Sequence, residues 1–406
     1  MRSGAMAASA RESILLFSWG ANSYGQLGIG NTIDQSSPVF LENPIQKWQQ
    51  ITGGGAHTLL LTSNGDLYSC GWNKEEQLGH QLLQKDKSLN IPKHIPDLPK
   101  ILKVACGWSH NLAIDEHGRL ISWGSNKYGQ LGGAQESGNT SLYIILDKAA
   151  FNSEPVIDIG AGLRHSAAIN GTGSLFTWGD GKKGQLGHPD LTTIKKPTQV
   201  SSMAGMICEG VSLGSHFTAV RTVEGDVYCF GDNRHGQCGA PPPNNAVGDA
   251  SKLVLLPNKV DRLPPVSEIH CGWSHCLAVT RQEIEGEDKR RKMIYSWGRG
   301  DYGQLGIGNT IDQYQPQEIS SLHGVQQVCC GSEHNLAING DGELFSWGWN
   351  EHGSCGNADT SNRLTPGLVL LPKSHDLEKS TSESPTLNVI IGSGAGCSFI
   401  STITNT

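Results

Sequence analysis

The chain is short of charge: only 17% of its 406 residues are Asp, Glu, Lys or Arg, against about 25% in an average soluble domain. It also lacks an excess of cations, since 31 Lys and Arg face 38 Asp and Glu for a net charge of −7. A surface that grips phosphates needs the opposite balance, so DNA binding is not expected. No run approaches the roughly 18 apolar residues of a membrane span, and Met1 to Ser13 has no apolar stretch of the signal-peptide kind. We therefore expect a soluble, intracellular chain without membrane insertion. The eleven cysteines are odd in number and form no Cys-x-x-Cys pair, which suits reduced thiols better than a disulfide framework. No Gly-Lys-Ser or Gly-Lys-Thr phosphate loop occurs, so the chain should not itself hydrolyse GTP.

What is plentiful is glycine, with 52 residues, nearly double the usual share of about 7%. The glycines are not scattered. An aromatic or Cys followed by Gly leads into Gly-Gln-Leu-Gly or a variant of it, starting at Trp19, Cys70, Trp123, Trp178, Phe230, Trp297 and Trp347. The intervals are 51, 53, 55, 52, 67 and 50 residues, so seven copies keep a period near 52 and one is stretched. A second phrase, Gly-x-x-His before a small apolar run, falls between them at His57, His110, His165, His216, His275 and His334. In the His216 copy Leu213 stands where Gly is expected and Gly214 comes one place late.

Inside each unit the apolar period is two. His110 to Ile114 leads through His117-Gly118 to Leu120 to Trp123, two short strands joined at an x-Gly turn. A further strand precedes each Gly-x-x-His, as in Val156 to Ile159, and another follows each Gly-Gln-Leu-Gly, as in Pro197 to Val200. Four strands per unit, seven times over, describe an all-β fold, a seven-bladed β-propeller of four-stranded blades. The chain starts with the second half of a unit, Leu15 to Gly28, and ends with the first half of one, Asn388 to Ser401. Pairing of the N- and C-terminal strands would close the ring and leave no free blade edge. The expected layout is a disordered tail over residues 1–12, one propeller over 13–402 and a C-terminal tail over 403–406.

The Trp-Gly-x-Asn-x-x-Gly-Gln-Leu-Gly and Gly-x-x-His phrases resemble the repeats of the regulator of chromosome condensation family, seven-bladed propellers with units of this length. Longer stretches, among them Cys330 to Ile338 and Ser346 to Gly353, are similar to a secretion-regulating branch of that family. The resemblance implies guanine nucleotide exchange on a small GTPase and an exocyst-type tethering partner, in cytoplasm and nucleus, with a non-catalytic adaptor as the alternative. It carries over no catalytic residue, because the founding member's exchange wedge has no counterpart here. The chain is expected to act as a monomer, with no cofactor, metal or covalent catalysis.

Several motifs have simpler meanings than their pattern suggests. Gly298-x-Gly300-x-x-Gly303 spells a dinucleotide fingerprint, yet it is the loop of a repeat with no helix behind it. Gly210 to Gly214 spells a nucleophile elbow, placed in the turn before a repeat histidine. The six repeat histidines stand one blade apart and cannot converge on a metal, so they read as buried imidazoles tying neighbouring backbone turns together. Trp108 and Trp273 are similar in position to the clustered tryptophans of a plant ultraviolet-B-sensing relative. Ser109 and Ser274 replace the Arg found there and the two units lie three apart, so ordinary aromatic packing is expected.

The stretched copy supplies the partner-site candidates. From repeat histidine to aromatic the count is 13 or 14 elsewhere but 22 from His275 to Trp297. The extra residues carry Glu283, Glu285, Glu287 and Asp288, then Lys289, Arg290 and Arg291, an acidic half followed by a basic half. A second polar insertion, residues 373–385, should emerge on the same face, and the loops at 134–140 and 240–250 on the opposite one.

Overall fold

The computed structural model describes residues 12–41, 47–80, 87–133, 142–241, 252–282, 291–372 and 389–405. Seven four-stranded antiparallel sheets stand in a ring. The inner strands run in order Val389–Ser393 (blade 1), Trp48–Gly53 (blade 2), Ile101–Cys106 (blade 3), Val156–Ala161 (blade 4), Cys208–Leu213 (blade 5), Val266–Cys271 (blade 6) and Gln327–Cys330 (blade 7). Each packs against the inner strands of its two neighbours and they enclose a central channel. The second strand of each blade is covered on both sides, which is why His57–Thr62, His110–Asp115 and His165–Asn170 are buried at every residue. The core is therefore not inside the blades but between them. Leu59, Leu61 and Leu67 of blade 2 form one cluster with Val104, Ala113, Ile121 and Trp123 of blade 3, and six similar clusters fill the other seams.

Closure joins the two ends of the chain. In blade 1 the strands Val389–Ser393 and Cys397–Asn405 are continued outward by Glu12–Gly20 and Gln35–Phe40. Glu12–Gly20 pairs with Cys397–Asn405 in one unbroken register, from Glu12↔Asn405 to Gly20↔Cys397. The pairing of the termini is thus the zip of the ring, as the half-units at the two ends of the sequence imply.

The repeat phrases serve the seams. In Glu-Gln-Leu-Gly, the blade 2 variant of the phrase, the Gln77 carbonyl accepts from the Trp123 indole at 3.0 Å and from the Asn111 side-chain amide at 2.8 Å, both donated by blade 3. Asn111 then accepts at its Oδ1 from His57 Nε2 of blade 2, at 2.7 Å. Because the Asn111 amide nitrogen is used on Gln77, its oxygen faces the imidazole and His57 must carry its proton on Nε2. The pattern recurs with Ser or Thr in place of Asn: His110 to Ser166 at 2.9 Å, His165 to Thr218 at 3.0 Å and His334 to Ser398 at 3.0 Å. Each of these histidines bonds a side chain on the next blade's second strand.

The glycine of Gly-x-x-His admits the ring. A Cβ on Gly54 would lie 2.2 Å from His57 Cε1 and from the Gly107 carbonyl of blade 3. The glycine after the aromatic has a different reason: Gly124 sits at φ +98°, and a Cβ there would meet the Ser109 carbonyl at 2.5 Å.

One repeat assignment is corrected. Phe217, not His216, occupies the histidine position of blade 5: it pairs with Gly231 as His57 pairs with Gly71, and it is fully buried. His216 takes the place of Ala56, half-exposed in the turn. Counting from Phe217 restores the spacing of 13 to Phe230, so the late Gly214 was the usable signal. The elbow-like Gly210 to Gly214 lies mostly on the inner strand Cys208–Leu213 rather than in a turn, and Ser212 Oγ accepts from the Cys271 amide at 2.9 Å.

Two outcomes follow. Deleting residues 1–30 removes the zip strand, so that variant is expected to aggregate or lose its cooperative melt, while deletion of 1–10 leaves the melting temperature unchanged. Burial pushes His57, His275 and His334 down to about 4 and His110 and His165 to about 3. The unfolded chain takes up these protons near 6.5 and the native one does not, so native stability falls as pH drops from 6.5 towards 4. The loss is about 1.4 kcal/mol per pH unit for each histidine. Urea titrations across this range will show a steep decline, shallower in the His110→Asn variant.

Candidate functional site

The Gly-x-x-His turns and the Gly-Gln-Leu-Gly loops all emerge at one end of the channel, here called the mouth face. The turns are stitched to one another by backbone bonds. Gly55 N–H reaches Trp108 O at 3.0 Å, Trp108 reaches Gly162, Leu163 reaches Ser215, Ser215 reaches Trp273 at 2.9 Å, Trp273 reaches Ser332 at 2.8 Å, Ser332 reaches Ala395, and Ala395 returns to Gly54 at 3.1 Å. Every blade is joined to the next and the circle is complete. It rims a channel of about 540 Å³.

On this rim the residue after the first turn glycine is small or aliphatic in five blades, namely Gly55, Leu163, Ser215, Ser332 and Ala395. Blades 3 and 6 carry Trp108 and Trp273 instead. They lie three units apart in sequence, yet their indoles lean inward and meet over the mouth, centroids 5.2 Å apart and tilted by 51°. Trp108 lies across Gly55, where a Cβ would come within 2.6 Å of its ring. Both remain exposed, at 37% and 36%. The aromatic packing is thus between the two repeats, across the mouth. The signal available in sequence was their identical place in a circular repeat, which puts them on one rim.

Outside the tryptophans stand Arg and Tyr. The Arg164 guanidinium lies 4.6 Å from the centre of the Tyr128 ring, and Arg299 lies 4.9 Å from that of Tyr302. Tyr24 stacks on Trp72 at 4.8 Å, with the Lys74 ammonium 5.8 Å from the same indole. Trp, Tyr and Arg are the residues that most often carry the binding energy of protein interfaces.

A buried acid completes the rim. Glu333, next to Ser332 in the blade 7 turn, accepts from Gln304 Nε2 at 2.6 Å and from Arg299 at 3.4 Å, and is only 8% exposed. Burial pushes its pKa up to about 7, against the downward pull of the Arg299 guanidinium. Sequence inspection gave no sign of it, because the residue before each repeat histidine differs from blade to blade.

At the opposite end the strands His275–Gln282 and Arg291–Gly298 rise together, with Gln282 paired to Arg291. Glu283, Glu285, Glu287, Asp288, Lys289 and Arg290 lie outside the described residues, as do the insertion at 373–385 and the loop at 134–140; of the loop at 240–250 only the first two residues are described. At the foot of the hairpin Lys292 bonds Glu268 at 3.0 Å.

The Glu333 environment makes a measurable prediction. Its unfolded form ionises near 4.5 and its native form near 7, so the native state holds the extra proton between these values, and its contribution to stability falls as pH rises through that window. The Glu333→Gln variant is expected to lack this slope, gaining about 1–3 kcal/mol over the parent at pH 8 and nothing at pH 4.5. Paired urea titrations at the two pH values check it.

An RCC1-like domain model matches residues 15–394. The secretion-regulating guanine nucleotide exchange factor of Mus musculus is 34% identical, over 95% of this chain and 83% of its own length. The ultraviolet-B receptor of Arabidopsis thaliana is 33% identical, over 87% and 77%. Prp20p of Saccharomyces cerevisiae, of known crystal structure, matches with a TM-score of 0.78 at 21% identity over 99% and 93% of the two chains, a likeness of fold. With the match spanning all seven blades and the repeat phrases performing one structural task in nearly every seam, the chain belongs to the RCC1-like family of β-propellers.

Proposed function

We propose that this propeller is a guanine nucleotide exchange factor for a small GTPase and regulates secretion through an exocyst-type tethering protein, in cytoplasm and nucleus. The observation that carries it is the 34% identity to a secretion-regulating exchange factor over 95% of this chain and 83% of that one. The propeller Prp20p, of the same fold, was crystallised in work on its binding to Gsp1p and histones, which supports a protein partner.

Exchange requires no covalent step. A factor that binds the nucleotide-free GTPase more tightly than the loaded form lowers nucleotide affinity by the same ratio, and nucleotide leaves faster. The rigid, latched rim suits that task, because a surface that does not deform holds the GTPase in its open form. The acidic residues Glu283, Glu285, Glu287 and Asp288, with Lys289, Arg290 and Arg291 beside them, serve in this scheme as a second contact on the opposite face. They would steer basic partner groups rather than supply affinity.

A non-catalytic adaptor is the second reading. It is favoured by the appearance of similar propellers in proteins of other named activity, including the E3 ubiquitin-protein ligase HERC2 of Mus musculus, of which the match covers 7%. A panel of small GTPases loaded with fluorescent nucleotide separates the two. At micromolar propeller one member is expected to release nucleotide well above its intrinsic rate. Release at background for every member, with complexes still detected, leaves the adaptor.

A further inference from the structure

The mouth face is electrically divided, although the chain as a whole is acidic. On blade 4, Arg164 in the turn, Lys182 and Lys183 in the loop and Lys195 and Lys196 on the strand Ile194–Gln199 have no ion-pair partner among the described residues. Elsewhere near this rim three cations are paired, Lys127 with Glu75 at 2.8 Å, Arg234 with Asp232 at 2.8 Å and Arg299 with Asp301 at 2.9 Å, while Lys74 lies over the Trp72 ring. The acids of blade 4 on this side do not neutralise its lysines. Asp180 is buried and accepts from the Lys182 amide, and Asp190 is held by Thr192. Blade 7, across the mouth, instead exposes Glu351, while Asp301 of blade 6 is taken up by Arg299.

The basic side is contiguous with the tryptophans. The Lys195 stem packs on Gly129, where a Cβ would meet its Cγ at 2.6 Å, and the preceding residue, Tyr128, lies under Arg164. Gly181, beside Lys182, would place a Cβ 1.9 Å from the Thr192 carbonyl, so the loop bearing Lys182 and Lys183 lies against the approach to Lys195. Arg164 follows Leu163, whose amide belongs to the same stitched circle as Trp108 and Trp273. An exposed aromatic pair therefore adjoins an arc of unpaired cations in a protein of net charge −7.

We propose that the mouth face is a docking site for an acidic segment of a partner protein, with Trp108 and Trp273 seating an apolar side chain and Arg164, Lys182, Lys183 and Lys195 receiving the carboxylates that flank it. The inference rests on the chain being a partner-binding propeller, and not on nucleotide exchange. Desolvated aromatic anchors supply affinity at the centre of an interface, while rim charges set orientation and association rate. Here the cations lie on one side of the anchor and Glu351 of blade 7 on the other. A segment with acids on both flanks of its apolar residue is therefore held less well than one with acids on a single flank, and the bound direction is fixed.

The test uses the full-length chain and a short labelled peptide of Asp and Glu followed by one Phe, read by fluorescence anisotropy. Binding is expected, weakening by about tenfold or more in the combined Lys182→Glu, Lys183→Glu and Lys195→Glu variant, whose salt dependence also flattens. Trp108→Ser installs the residue that blades 5 and 7 carry at that place. It should weaken the Phe peptide by about tenfold and leave a Phe-free acidic peptide unchanged. Circular dichroism confirms that each variant is folded. Equal affinity for the Phe and Phe-free peptides, or an unaltered affinity in the lysine variant, overturns the proposal. So does displacement of the peptide by phosphatidylserine vesicles or single-stranded DNA at lower concentration, which assigns the arc to phosphates. A GTPase panel without exchange leaves this result unaffected, so the two readings fail separately.

Discussion

One carbonyl in each blade holds this ring together. The backbone oxygen of Gln in Gly-Gln-Leu-Gly, or of Ser354 in blade 7, points across the seam and accepts from the following blade. In five seams one of its donors is an indole, at 2.8 to 3.1 Å. Six seams add Asn, Ser or Thr on the second strand of that blade, as Thr58 does for Gln26 at 2.8 Å, and the Cys276 thiol takes the place at Gln237. A buried carbonyl left without donors would cost about 1–3 kcal/mol, and seven of them would exceed a typical margin of stability. Satisfying them requires the Trp, the polar second-strand residue and the glycines that let backbones approach. This is why the repeat phrase is spelled as it is.

The latch also explains where the molecule is free to vary. Positions bonded across a seam are limited to a few residue types, whereas the residue after the turn glycine and the one before the histidine have their side chains outside the latch. Trp108, Trp273, Arg164 and Glu333 all occupy those two positions. The rim is therefore a rigid frame with interchangeable side chains, and specificity can be written on it without disturbing the seams.

Much of the architecture was legible in sequence because the repeat is strict. The period near 52, the hairpin turns and the split half-units gave seven blades, their strands and their closure, and the structure agrees. Less was legible where a repeat slips. In blade 5 Phe217 takes the histidine place, and a pattern that looked for His found His216 one residue early. The Ser or Thr before the aromatic, which bonds the carbonyl of the Leu position as Ser122 bonds Leu131 at 2.8 Å, was overlooked because such residues are common in strands. The meeting of Trp108 and Trp273 was missed for a geometric reason. Sequence separation measures distance along the ring, and side chains leaning inward over a narrow mouth ignore it. The charge division of the rim is likewise invisible to net charge, since it depends on which cations already have partners. The partner-site candidates of the stretched hairpin, Arg291 apart, lie outside the described residues, and their reading stands on sequence alone.

The central claim is that seam latches and stitched turns act as one closed structure, so that no part of the rim opens by itself. Native-state hydrogen exchange of the rim amides measures this most directly. For Gly55, Trp108, Leu163, Ser215, Trp273, Ser332 and Ala395 the account predicts one common opening free energy, close to that of global unfolding. It further predicts that Trp19→Phe, which removes the indole donor of the latch in the blade 7 to blade 1 seam, lowers all seven together. Amides that exchange with separate energies, or a change confined to Ser332 and Ala395 beside the altered seam, would contradict it.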